Sequence, residues 1–161
     1  MLASPCELDI ILQGDVEALH TAKTHILDNT LLPTFAPTQA SDTENSWGCE
    51  GNFDLEYSTG ADMARDTLSF GSATPFSPPI KGLAKVAQAL GVSIYIRYIN
   101  YDSMVCGYAN ISKTGVISDH KFTLSDFNGC ENTLRAFLEA NPSLENAFEY
   151  ETLCFLVGVE L

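Results

Sequence analysis

Basic residues are scarce in this sequence: eight Lys and Arg stand against 21 Asp and Glu, for a formal net charge of −13. Neutralising phosphates requires cationic side chains, so the deficit argues against direct contact with nucleic acid or an anionic membrane surface and favours a basic partner. The imbalance is local, since residues 1–80 hold twelve acids against Lys23 and Arg65, whereas residues 81–161 hold nine against six bases. Long hydrophobic runs are also lacking. No basic region followed by an apolar run opens the chain, and the longest late stretch, Leu153 to Val159, is too short to span a bilayer. The five cysteines, Cys6, Cys49, Cys106, Cys130 and Cys154, show no C-x-x-C spacing. They suggest neither a disulfide framework nor a zinc site, and a reducing cytoplasm is the expected setting.

Sites for common chemistry are missing as well. Gly14, Gly48, Gly51 and Gly71 form neither a dinucleotide fingerprint nor a P-loop. Asp42, Glu44 and Asn45 lack the spacing and the distal Glu of a calcium loop. His20 and His25, on one helix, point about 140° apart and cannot chelate a metal together. His120 beside Asp119 has the composition of a general-base pair, but adjacent strand residues face opposite sides of a sheet. Cys6, Cys49 and Cys106 have no neighbouring Lys, Arg or His to lower a thiol pKa. Arg97, the one base amid a strongly hydrophobic strand, is expected to pair with a carboxylate at the sheet surface. No catalytic residue, metal or cofactor is expected.

What is present is enough for a core. A chain of 161 residues with 45% hydrophobic content falls within the size of one folded domain, taken as 1–161. Leu8 to Leu12 predict a strand, and Asp15 opens a helix with Val16, Leu19, Ala22 and Ile26 at helical spacing. Pro33, Pro37 and many small polar residues mark 29–46 as an exposed connection. Phe53, Leu55 and Tyr57 alternate with Asp54 and Glu56 as in a half-buried strand, residues 60–66 turn the chain, and Leu68 to Phe70 predict another strand. Ser77 is a candidate cap for a helix over Ile80 to Leu90 that ends at Gly91. Val92 to Ile99, Met104 to Ala109 and Val116 to His120 predict an antiparallel meander. Leu134, Phe137 and Leu138 mark a helix that stops before Asn141-Pro142, and Leu144, Ala147 and Phe148 a further turn or two. Cys154 to Val159 suit a buried strand, with a short helix as the alternative. The simplest architecture is α+β, an antiparallel sheet with helices on one face.

Trp47-Gly48, an acidic alternating segment, Phe70 and the Thr74-Pro75-Phe76-Ser77-Pro78-Pro79 run, with Tyr98, Gly107 and the Cys6 to Gly14 strand, resemble the YubB-like family of plasmid- and phage-encoded proteins. Phe76 stands where that family has tryptophan before Ser-Pro-Pro. The resemblance implies a ferredoxin-like sheet and a mobile-element origin, and it brings no catalytic residues with it.

On a strand, Glu50, Asp54 and Glu56 would share one parity and form a line of negative charge, flanked in sequence by Glu44, Asp62 and Asp66. Such a line can imitate a nucleic-acid backbone, and the alternative is a solvated acidic face that serves solubility. The leading expectation is therefore an acidic binding protein, a DNA-mimicking inhibitor of a basic, nucleic-acid-binding defence complex such as a CRISPR effector. Two others stand beside it: a small hydrolase or transferase whose carboxylates and His120 converge only in the fold, and a subunit of a larger assembly.

Overall fold

The structure, a computed structural model, describes residues 4–124, 127 and 129–159. Nine residues of strong alternation, Pro5–Gln13, form β1, and Gly14 turns the chain into α1 (Val16–Leu27). Two short helices follow, α2 (Leu31–Phe35) and α3 (Thr43–Trp47), with a 3-10 turn at Ala40–Asp42 between them. Then come β2 (Ala61–Ala64), β3 (Thr67–Pro75), α4 (Ile80–Leu90), β4 (Ser93–Asn100), β5 (Val105–Ile111) and β6 (Ile117–Thr123). Three helices close the described chain: α5 (Glu131–Ala140), α6 (Pro142–Ala147) and α7 (Tyr150–Val157). The strands make one six-stranded sheet in the order β2-β3-β1-β4-β5-β6, and every neighbouring pair is antiparallel.

Strand parity decides what covers each face. Leu8, Ile10 and Leu12 of β1 stand opposite Tyr98, Ile96 and Ile94 of β4, and all six are buried on one face. Against them pack Leu19 and Ala22 of α1, Leu31 and Leu32 of α2, Trp47 of α3 and Leu83, Val86 and Ala87 of α4. The helix α4 ends as expected, on Gly91 with φ +66°. Its N-cap is Pro79, with no side-chain cap; Ser77 Oγ instead donates to the Gly48 carbonyl at 2.7 Å.

The expectation of helices on one face is corrected by the C-terminal third. Ile99 and Cys106 point to the other face, where they join Leu134 and Leu138 of α5, Leu144 of α6 and Leu153 and Leu156 of α7 in a second core. Phe137 of α5 meets Phe122 of β6 at 5.9 Å between ring centroids. The segment expected as a buried strand at 154–159 is largely helical: Leu153, Cys154, Leu156 and Val157 are buried at helical spacing while Phe155 is 75% exposed.

Two other expectations change. Residues 29–46 are not an exposed connection throughout, because Leu31, Leu32 and Ala36 are buried and form the bed for Trp47, whose Nε1 donates to the Ala36 carbonyl at 2.6 Å. The strand expected at 53–57 is a 3-10 turn at Leu55–Tyr57. Asp54 makes it so, its carboxylate accepting from the Glu56 N–H at 2.9 Å, a local bond that competes with extended pairing. The second strand instead falls at Ala61–Ala64, inside the stretch expected to be a turn.

Candidate functional site

Helices α5 to α7 cover this second face over the β4-β5-β6 end of the sheet, while at the β2-β3-β1 end the segment with Thr59 lies over Gly71 of β3 and leaves Glu7 and Asp9 of β1 exposed. A trough of about 470 Å³ runs there between the α6-α7 junction, with Phe148, Glu149 and Thr152, and the arm that carries Tyr57 and Thr59. A second hollow of about 380 Å³ continues it toward β2, sharing Asp9, Thr59, Gly71 and Arg97 and adding Asp62, Ser69 and Tyr95. Four carboxylates line the pair of hollows: Glu7 and Asp9 of β1, Asp62 of β2 and Glu149 at the start of α7. All four are exposed. Glu7 and Asp9 share a parity on β1, which sets them about 6.8 Å apart along the strand.

Arg97 is the single base lining these hollows, and it is engaged. Its Nε donates to Asp9 Oδ2 at 2.8 Å and its Nη1 to the Ala147 carbonyl at 2.9 Å, tying β4 to β1 and to the end of α6. This is the surface pairing expected of it. Burial raises the pKa of Tyr101, whose ring lines the trough, and the Glu7 charge raises it further.

The residues expected to form a negative line are scattered. Glu44 lies on α3, Glu50 follows it in a loop that borders a hollow beside Trp47, and Asp54 and Glu56 belong to the 3-10 turn. With no strand at 53–57, the shared parity of Glu50, Asp54 and Glu56 does not exist. Asp66 sits in the β2-β3 turn, where Gln13 Nε2 donates to it at 3.4 Å. Of the six, Asp62 alone lines either hollow, the second of the two. Glu7 and Asp9 were missed although their signal was present: they alternate with Cys6, Leu8 and Ile10, the mark of a wet strand face. Glu149 carried no such signal, because its place depends on α7 folding back over the sheet.

His120 and Asp119 point to opposite faces. The His120 ring stacks on Tyr108 at 4.8 Å, while Asp119 accepts from Tyr98 Oη at 2.8 Å. His25 Nδ1 is 2.7 Å from Thr30 Oγ1, a link within the α1-α2 corner. Among the described residues, no group of three His, Cys, Asp or Glu side chains is placed to hold a metal ion, and no helix is long and apolar enough to cross a membrane.

Four cysteines are buried and Cys130 is exposed. Burial, with smaller pushes from Cys49 and Glu7, lifts the Cys6 thiol to about 12, and burial lifts Cys106 to about 12. At Cys130 the hydrogen bond with Thr133 Oγ1, at 3.1 Å, lowers the thiol below its ordinary value. With a disulfide-exchange reagent at neutral pH, Cys130 is expected to react in a first fast phase, and the other four only as the protein opens. More than one fast equivalent would contradict the burial of Cys6, Cys49, Cys106 and Cys154.

Two pairs of the glycine and aromatic or proline residues named above are neighbours in the fold. Gly48, at φ +92°, lies against the Pro78 carbonyl, and Trp47 packs on Gly82 of α4. A Cβ on Gly107 would come within 2.5 Å of Tyr98 Oη. Comparison with protein-family models, curated proteins and solved structures finds no match to the chain.

Proposed function

We propose that this protein binds a basic macromolecular partner through the acidic trough on its sheet. One observation carries the proposal: Glu7, Asp9, Asp62 and Glu149 line a trough whose sole base, Arg97, is already spent on Asp9 and the Ala147 carbonyl. A trough with a net negative lining attracts lysine and arginine side chains and speeds their encounter. A nucleic-acid-binding effector, whose own groove is built for phosphates, is the partner class that best fits a DNA-mimicking inhibitor of net charge −13. On the same proposal the β1 to β4 unit is ferredoxin-like. The order β2-β3-β1-β4, with α1 between the first two strands and α4 between the last two, favours that topology, extended by β5 and β6. The packing of Trp47 and Gly48 against the start of α4 favours kinship with the YubB-like proteins.

The test is capture of basic proteins from a natural host lysate by the native protein and by a Glu7→Gln, Asp62→Asn, Glu149→Gln variant. The variant leaves the Asp9 to Arg97 pair intact and nearly preserves shape. It is expected to melt with the native protein but to bind the captured partner more weakly, mainly through slower association at low salt. A Glu44→Gln, Glu50→Gln, Asp66→Asn variant, which removes the same number of charges away from the trough, is expected to keep most of the affinity. Equal loss in both variants would mean that net charge acts, not the trough. No loss in either, with no salt dependence, would overturn the proposal.

A further inference from the structure

On the opposite face the sheet runs past the start of α4, and this overhang forms a separate cleft of about 470 Å³. Val105 and Ile117 line it beside the Tyr98 ring, and Pro78 and Ile80 close it from the helix side. Phe76 forms the lip, its side chain half exposed.

The backbone at Phe76 is costly. Its φ is +62°, a region that bulky residues rarely adopt, and Ser77 N–H donates across it to the Pro75 carbonyl at 2.7 Å. A three-residue turn of this hand is the strained form. The surroundings hold it from both sides. Phe76 N–H donates to the Ser4 carbonyl at 3.1 Å, and Nδ2 of the buried Asn100 donates to the carbonyls of Phe76, at 2.9 Å, and Ser4, at 3.2 Å. Strain persists only where the structure over-determines it, and it gathers at ligand clamps. Here it presents an aromatic ring at the edge of a cleft instead of burying it.

The charge around this cleft runs against that of the molecule. Lys81 and Lys121, two of its eight bases, both line it. One acid, Asp119, lines it as well and accepts from Tyr98 Oη at 2.8 Å, so the two lysines leave the lining with one net positive charge. The volume falls within the range of about 300–1,000 Å³ typical of small-molecule sites, and apolar walls with a few polar groups are their usual lining.

We propose that this cleft binds a small organic anion, a carboxylate with a flat apolar body that lies against Phe76 and sets its charge between Lys81 and Lys121. The sheet separates the cleft from the acidic trough, so the two sites stand or fall independently.

The test is isothermal titration of the full chain with naphthoate, and with naphthylmethanol as the neutral counterpart. Naphthoate is expected to bind saturably at one site, about tenfold more tightly than the alcohol. A Lys81→Gln, Lys121→Gln variant is expected to lose about tenfold in naphthoate affinity while the alcohol is unaffected. Both lysines are exposed, so its melting temperature should match the native one. Phe76→Ala is expected to weaken both ligands. No saturable binding at millimolar naphthoate, equal affinity for acid and alcohol, or binding indifferent to the lysine pair would each overturn the proposal. Capture of a basic partner by the lysine variant reports separately on the trough.

Discussion

Between pH 9 and pH 11 the protein is expected to lose several kcal/mol of stability, about 1.4 kcal/mol per pH unit for each proton that the folded chain keeps and the unfolded chain releases. The groups are buried thiols and a phenol. Cys6 and Cys106 rise from an ordinary 9.0 to about 12 and Cys49 to about 11, each chiefly through burial. Tyr98 rises from 10.0 through burial and then through Asp119, which accepts a hydrogen bond from its hydroxyl and repels its anion. All four values are raised, so their contribution is fully present below the unfolded values, where both states are protonated. It shrinks as pH climbs past those values and is gone once the folded groups ionise. Denaturant midpoints measured in reducing buffer from about pH 8 to about pH 11 will show the slope. A Cys6→Ala, Cys106→Ala variant is expected to be less stable at the low end yet to fall less steeply. Parallel slopes would show that those thiols ionise in place and are less sealed than described.

Trp47→Ala is expected to destabilise by about 3–5 kcal/mol, near the top of the range for core truncations. The side chain is buried, its Nε1 donates to the Ala36 carbonyl at 2.6 Å, and its ring lies against Gly82, where even a methyl group would crowd it. Removing it opens a cavity between α2, α3 and α4 and leaves that carbonyl without its partner. Trp47→Phe fills most of the space but still strands the carbonyl, for an expected loss of about 1–3 kcal/mol. Leu83→Ala, at the centre of α4 where the side chain is fully buried, serves as the purely apolar reference, with an expected loss of about 2–5 kcal/mol. Trp47 is the only tryptophan, so unfolding of all three variants is followed by far-ultraviolet circular dichroism. A loss for Trp47→Ala well below that for Leu83→Ala would mean that α3 is loosely attached.

The elements read correctly from the residues are those whose periodicity is long and whose partners are close in sequence. Leu8, Ile10 and Leu12, the alternation from Ile94 to Tyr98, and the apolar stripe of Ile80, Leu83 and Ala87 mark β1, β4 and α4 through their own pattern. The antiparallel meander from β4 to β6 followed from its turns. The failures have local or tertiary causes. Asp54 diverts its segment into a turn with one hydrogen bond, although Phe53, Leu55 and Tyr57 alternate as a strand would. Residues 153–157 are apolar at every position, with Phe155 apolar although exposed, so period alone does not separate this helix from a strand. The trough was legible only in part. Glu7 and Asp9 lie on the wet side of a visible strand, and Arg97 was expected to find a carboxylate; but Asp62 needed β2 to exist and Glu149 needed helices on a face where none was foreseen.

Arg97 reaches from β4 to both Asp9 and the end of α6, so the middle of the trough is already occupied by a guanidinium that belongs to the protein itself. A visiting cation aimed at Asp9 meets a rival tethered in place. Glu7, Asp62 and Glu149 have no such tenant among the bases that line the trough, and they sit toward its ends. If the trough docks a basic surface, what it measures is the distance between that surface's charges rather than their number. Two bases at the right separation would then outcompete a denser patch.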